Sequence, residues 1–228
     1  MAGEPESLDV EESLERRRHR HGFDRLVMLS DGVFAIAITL LAFDVRGPAH
    51  WDGRFANLWT DLTPQLDAYA LSFLVISVYW LAHRRFMAMV LTVDAPVAVL
   101  NLLMLALVAL LPAATRLAHG GQQAAMVVYG ALVVAIGAAL GMSWGYAALI
   151  ADLVSPEVPR PVRWFLMFLM IFTPPFFLLL VMAIPAPRSG VVPLCLGILF
   201  LVGWPMRLWV VRRLSPVKSS PPPAPPAL

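Results

Sequence analysis

Ser30 and Asp31 stand inside a long apolar run, residues 25–44. A carboxylate at that depth in hydrocarbon is costly unless it is partnered. The pair is therefore either glue between helices or a group that handles ions or protons. Arg25 and Asp31 are six residues apart, about 240° around a helix, so they do not share a face and each needs a partner on another segment. Trp80, His83 and Asn101, in later apolar runs, are the candidates. Further along the first run, Ile36, Leu40 and Phe43 recur at intervals of four and three and so form one stripe, with Thr39 beside it. Composition alone reads that stripe as a lipid or core face. Several copies meeting around an axis would instead turn it into apolar rings that constrict and dewet a path, with the Thr39 hydroxyls as oxygen ligands.

Motifs that would point to enzymes are missing. The sequence has no Walker loop, no HExxH, no GxSxG and no paired carboxylates in a polar setting. No catalytic residue is expected. A TVGYG filter loop and a voltage sensor with arginine at every third position are absent as well. Cys195 is the single cysteine, which excludes a disulfide framework and a thiolate metal cluster; no metal site and no cofactor are expected. Nucleic-acid binding would need a basic surface with readable motifs, and none is found.

The elements that must position these residues follow from composition. The chain has 228 residues, of which 59% are hydrophobic and 14% charged, with a mean hydropathy of +0.74. That balance suits lipid as the solvent. Six apolar stretches, at residues 25–45, 64–83, 95–115, 124–151, 162–184 and 191–211, each approach the ~20 residues a crossing helix needs. The expectation is an all-α integral membrane protein with six transmembrane helices per subunit. Residues 1–22 form a polar N-terminal extension, 23–213 the membrane domain and 214–228 a proline-rich, disordered tail. The extension is acidic at first and then basic at Arg16, Arg17, Arg18 and Arg20, which suits anionic lipid headgroups.

Orientation follows from the loops. Arg46, Arg54, Arg116 and Arg188 fall on one side, and the other 13 of the 17 Lys and Arg on the opposite side (17 minus 4). The side with the excess is cytoplasmic, and six spans place both termini there. Gly137, Gly141 and Gly145 in the fourth stretch form a small-residue groove for close helix packing. Pro174 and Pro175 in the fifth are expected to kink or break it.

The run Arg25-x-x-x-Leu29-Ser30-Asp31-Gly32-Val33-Phe34-Ala35-Ile36-Ala37-Ile38-Thr39-Leu40-Leu41 closely resembles the signature R-x-x-x-F-S-D-G-V-F-A-I-A-x-T-L-L of the transmembrane protein 175 family of endolysosomal and prokaryotic potassium channels. Tyr79-Trp80-Leu81-Ala82-His83-Arg84-Arg85, Asn101-Leu102-Leu103 and Leu110-Leu111-Pro112 add to it. A single six-helix unit is similar to the prokaryotic form.

The resemblance implies a homotetramer in the plasma membrane whose first helix lines a central pore, with no re-entrant filter loop and with potassium ions as the permeant species. Carried onto matching positions, it makes Ile36 the principal constriction, Leu40 and Phe43 further narrow rings, and Thr39 a selectivity layer. Arg25, Ser30 and Asp31, with Trp80, His83 and Asn101, become a structural polar cluster. Leu29 stands where the family usually has Phe, and Phe43 where an aliphatic residue is common. Two other classes compete with a potassium-permeable channel. One is a proton-coupled carrier or proton-permeable protein using Asp31 or His83 as a relay. The other is a membrane scaffold packed through its glycine groove.

Overall fold

A computed structural model describes residues 4–47, 52–119 and 122–183. Helix α1, Glu4–Ala42, is 39 residues long. No proline falls between Pro5 and Pro48, so nothing in this stretch removes a helical hydrogen bond. The polar extension and the first apolar span therefore form one helix, with no break at the expected 22/23 boundary. Past Ala42 the chain winds through tight turns, with Phe43 N–H on Leu40 O at 3.2 Å and Asp44 N–H on Leu41 O at 3.3 Å.

Helix α2, Phe55–Met89, has 35 residues, or about 52 Å of length against a hydrocarbon core of about 30 Å. Its first turns carry Trp59, Asp61, Gln65 and Asp67, the polar and interfacial residues of a helix that begins outside the apolar layer. Helix α3, Ala95–His119, starts on a side-chain cap: Val97 N–H donates to Asp94 Oδ1 at 3.0 Å. Helix α4, Gln123–Gly145, runs into a single π-helical turn, Tyr146–Ile150, closed by Ala151 N–H on Tyr146 O at 2.9 Å. Helix α5, Arg160–Ala183, has Pro161 in its first turn, where a missing N–H costs nothing. Pro174 and Pro175 fall within α5, which is not interrupted there.

Helix α3 packs against α1, α2 and α4, and α5 packs on the far side of α4. Phe34 and Leu41 of α1, Ile76 and Phe86 of α2, Leu111 of α3 and Trp144 of α4 are buried where these helices meet. The basic end of the bundle is tied by backbone. Leu91 N–H donates to Leu153 O at 2.9 Å and Ser155 N–H to Met89 O at 3.0 Å, which fixes the end of α2 to the connection between α4 and α5.

The glycine groove faces α5. A Cβ at Gly145 would stand 2.8 Å from Met167 Sδ, and one at Gly141 would collide with Ile171 Cγ1. Both glycines let the two backbones approach closely.

The expectation of six spans is corrected. Among the described residues there are five α-helices, and four stretches are long and apolar enough to cross: His21–Ala42, Phe55–Met89, Ala95–Ala118 and Gln123–Ile150. The run at 191–211 and the tail at 214–228 lie outside the described residues. Counting apolar windows fails here for a physical reason. A run of about 20 apolar residues satisfies a length criterion without establishing that it forms a separate crossing helix.

Replacing Gly141 by Val should lower the melting temperature of the detergent-solubilised protein, because overpacking costs about 1–3 kcal/mol. Adding Ile171→Ala should recover much of that loss; a Gly141→Val variant as stable as the parent would contradict the close approach.

Candidate functional site

Helix α1 presents two unlike faces. Ser30, Phe34, Ala37 and Leu41, at helical spacing, are buried against the neighbouring helices. On the other side Ile36 is 60%, Leu40 44% and Phe43 75% exposed. Thr39 is exposed beside them, and its hydroxyl donates to Ile36 O at 2.9 Å.

The buried face is held by a chain of hydrogen bonds whose direction can be worked out from one end. Ser30 Oγ donates its only proton to Leu26 O at 2.8 Å. Its oxygen must therefore accept from Asn101 Nδ2, 3.0 Å away on α3. That orientation turns Asn101 Oδ1 toward His83 Nε2 of α2, at 2.8 Å. The acceptor there requires His83 to carry its proton on Nε2. Ser30, His83 and Asn101 are all essentially without solvent contact, and three helices are joined through them. The His83 ring also packs on Phe34 at 5.7 Å and edge-on to Phe86 at 6.4 Å, and Phe86 continues to Trp144 of α4 at 5.6 Å.

Asp31 lies beside this chain and not in it. Trp80 Nε1 donates to Asp31 Oδ1 at 2.8 Å, and the Arg84 guanidinium sits over the Trp80 ring, 5.5 Å from its centroid. The structure thus brings together Ser30, Asn101 and His83, and separately Asp31 and Trp80. Arg25 is exposed, and among the described residues no hydrogen bond or ion pair joins it to either group. The described residues contain no group of His, Cys, Asp or Glu that could hold a metal ion.

Three polar constellations escaped the sequence reading. Ser72, Thr115 and Tyr129 form a buried hydroxyl cluster, with Thr115 Oγ1 2.8 Å from Ser72 Oγ and Ser72 Oγ 3.2 Å from Tyr129 Oη. Arg163, buried at the start of α5, donates to Ala148 O at 2.8 Å and Val158 O at 3.0 Å and pairs with Asp152. It thereby satisfies carbonyls that the π-helical turn and the following loop leave open. Hydrogen bonding from Arg163, and then its charge, holds the Asp152 carboxyl below the usual carboxylate range. At the other end of the bundle Arg116 Nε pairs with Asp44 Oδ1 at 3.0 Å. Single serines, threonines and arginines on different helices carry no spacing signal, so only the packing reveals them.

Comparison with known proteins gives this geometry a context. The family described as Endosomal/lysosomal potassium channel TMEM175 matches residues 25–112. A potassium channel from Streptomyces collinus is 36% identical over 146 residues, 60% of this chain and 70% of the relative. A potassium channel from Chamaesiphon minutus is 33% identical over 144 residues, 60% of this chain and 71% of the relative. The chain belongs to the TMEM175 family.

The TMEM175 match runs from Arg25 through Pro112 and so includes both faces of α1 and both polar groups. Mouse Endosomal/lysosomal proton channel TMEM175 is 26% identical over 166 residues, covering 68% of this chain and 33% of the mouse protein. The crystal structure of a lysosomal potassium-selective channel TMEM175 homolog from Chamaesiphon minutus shares the fold, with a TM-score of 0.60 at 24% identity over 86% of this chain and all of that one. TMEM175 membership makes the chain a multi-pass membrane protein of an ion-channel family and not an enzyme.

Asn101→Ala would leave the buried His83 Nε2–H without its acceptor, at a cost of about 1–3 kcal/mol, and would remove the donor to Ser30 Oγ, which keeps its bond to Leu26 O. A thermal melt in detergent should therefore show a large loss for Asn101→Ala. His83→Leu combined with Asn101→Leu should be better tolerated than either single change; equal, additive losses would argue against this hydrogen-bond chain.

Proposed function

We propose that the protein is a passive, potassium-permeable cation channel in which α1, repeated around the axis of a homotetramer, lines the path. The observation that carries this reading is the division of α1 into a face locked inside its own subunit and an apolar face left open at Ile36, Leu40 and Phe43. A lone subunit would give that face to lipid. Membership of an ion-channel family favours giving it to the axis.

Around such an axis Ile36 forms the principal apolar constriction and Leu40 and Phe43 form further rings, which gate by wetting and dewetting. Thr39 contributes a hydroxyl layer. Because its proton is committed to Ile36 O, the oxygen lone pairs remain for a passing cation. Potassium ions are then cargo, with no resident cofactor. Asp31 and the Ser30, Asn101 and His83 chain act as anchors that keep the helix from turning, with Arg25 near the inner mouth. The end bearing Arg84, Arg85, Arg160 and Arg163 faces the cytoplasm, and the N-terminal extension of α1 with it.

A second reading, proton permeation, draws on the mouse relative, an endosomal/lysosomal proton channel, and on ionisable residues at membrane depth. The two readings differ in what drives flux. Purified protein in liposomes with a potassium gradient and matched pH should conduct, at rates above those of a carrier. Ile36→Asn should raise the current severalfold, since a polar ring stays wet. A current that is unchanged or smaller would remove Ile36 from the path, and flux strictly dependent on a pH gradient would favour the proton reading.

A further inference from the structure

Asp44 lies just beyond the end of α1, among the last carbonyls of the helix. A negative charge there opposes the helix macrodipole, so the position calls for a compensating cation. Arg116, in the last turn of α3, supplies it at 3.0 Å, with the Arg116 side chain 65% and the Asp44 side chain 19% exposed. Asp44 Oδ2 is shut off from solvent and has no hydrogen-bond partner among the described residues. Removing the guanidinium would leave a partly desolvated charge uncompensated at the helix end, a modest cost per subunit because the Arg116 side chain is itself mostly exposed. Two residues on, Arg46 N–H donates to Gln65 Oε1 of α2 at 2.8 Å. The outer end of α1 is thus tied to both α2 and α3, at the end opposite the Ser30 and Asn101 contact.

We propose that the Asp44–Arg116 pair is a latch that positions the outer end of α1, and Phe43 with it, and thereby sets how often the path is open. The proposal rests on reading α1 as the pore-lining helix. Phe43 adjoins Asp44 in sequence, yet Asp44 is turned onto α3 while Phe43 stands 75% exposed. Held by the latch, Phe43 keeps its distance from its symmetry mates. Released, these apolar rings gain by burying against one another, which narrows and dewets the outer mouth. Asp44 and Arg116 are positioning residues, because the effect needs no contact with the ion.

Single-channel recording of the purified full chain in planar bilayers tests this. Asp44→Asn and Arg116→Gln should each reduce open probability by roughly three- to thirtyfold, since a weak pair in every subunit multiplies, and unitary conductance should stay as it was. The exchanged pair, Asp44→Arg with Arg116→Asp, should recover most of the lost openings. Should that double variant not fold, Asp44→Glu, which keeps the charge, should open more often than Asp44→Asn. A merely structural role would shift the melting temperature without moving open probability in the folded channel. Unchanged open probability in either neutral variant overturns the latch. So does a fall confined to unitary conductance that disappears at high salt, which marks a surface charge, or a failure of both charge-retaining variants to recover openings. Ile36→Asn recorded in parallel separates the two ideas. If it leaves the current unchanged, the pore reading fails; if it raises the current while Asp44→Asn opens normally, the latch alone fails.

Discussion

The hydrogen bond from Asn101 to Ser30 fixes where α1 can sit. In hydrocarbon no water replaces a lost partner, so a serine, an asparagine and a histidine buried together must satisfy one another. The Leu26 carbonyl starts the chain by taking the Ser30 proton, and each later donor and acceptor follows from that choice. Rotating α1 by one residue, about 100°, would break the Ser30 contact and carry Phe34 away from the His83 ring. The rotation of the helix is therefore set by polar chemistry, and its apolar packing follows.

Once that rotation is set, so is the identity of the open face. Ser30, Phe34, Ala37 and Leu41 are consumed by packing inside the subunit. Ile36 and Leu40 are left outward by the geometry of a 3.6-residue helix, and Phe43 by the turn that follows it. Asp31 with Trp80 adds a polar contact beside Ser30, and Asp44 with Arg116 adds one at the other end of the span. A helix held in this way can offer a fixed row of side chains to its neighbours in an oligomer, as a hydrophobic gate requires.

Much of this was legible in the residues. Period-3.6 spacing separated the Ile36, Leu40 and Phe43 stripe, and the cost of Asp31 in hydrocarbon called for a partner among Trp80, His83 and Asn101. Choosing between them was beyond the sequence. Trp80 and His83 are three residues apart on one helix, and only the packing of α2 on α1 and α3 gives Trp80 to Asp31 and His83 to Asn101. Arg25 is grouped with the anchors on the strength of a motif alone; its side chain is exposed, and among the described residues no hydrogen bond or ion pair joins it to them. The number of spans was overstated because hydropathy counts apolar windows, and the four candidate crossing stretches among the described residues fall short of six. The Ser72, Thr115 and Tyr129 cluster gave no signal because its members are far apart in sequence, and the buried Arg163 gave none because its partners are largely backbone carbonyls, which any residue supplies.

The central claim is that one face of α1 meets ions and the other does not. Thiol accessibility in potassium-loaded liposomes tests it most directly. In a Cys195→Ser background, single cysteines at positions 36, 40 and 43 and at 34, 37 and 41 would be treated with a small charged thiol reagent during flux. The account predicts block of flux at 36, 40 and 43 and none at 34, 37 and 41. Block at the second set, or a conducting protein whose first set is untouched by the reagent, would contradict it.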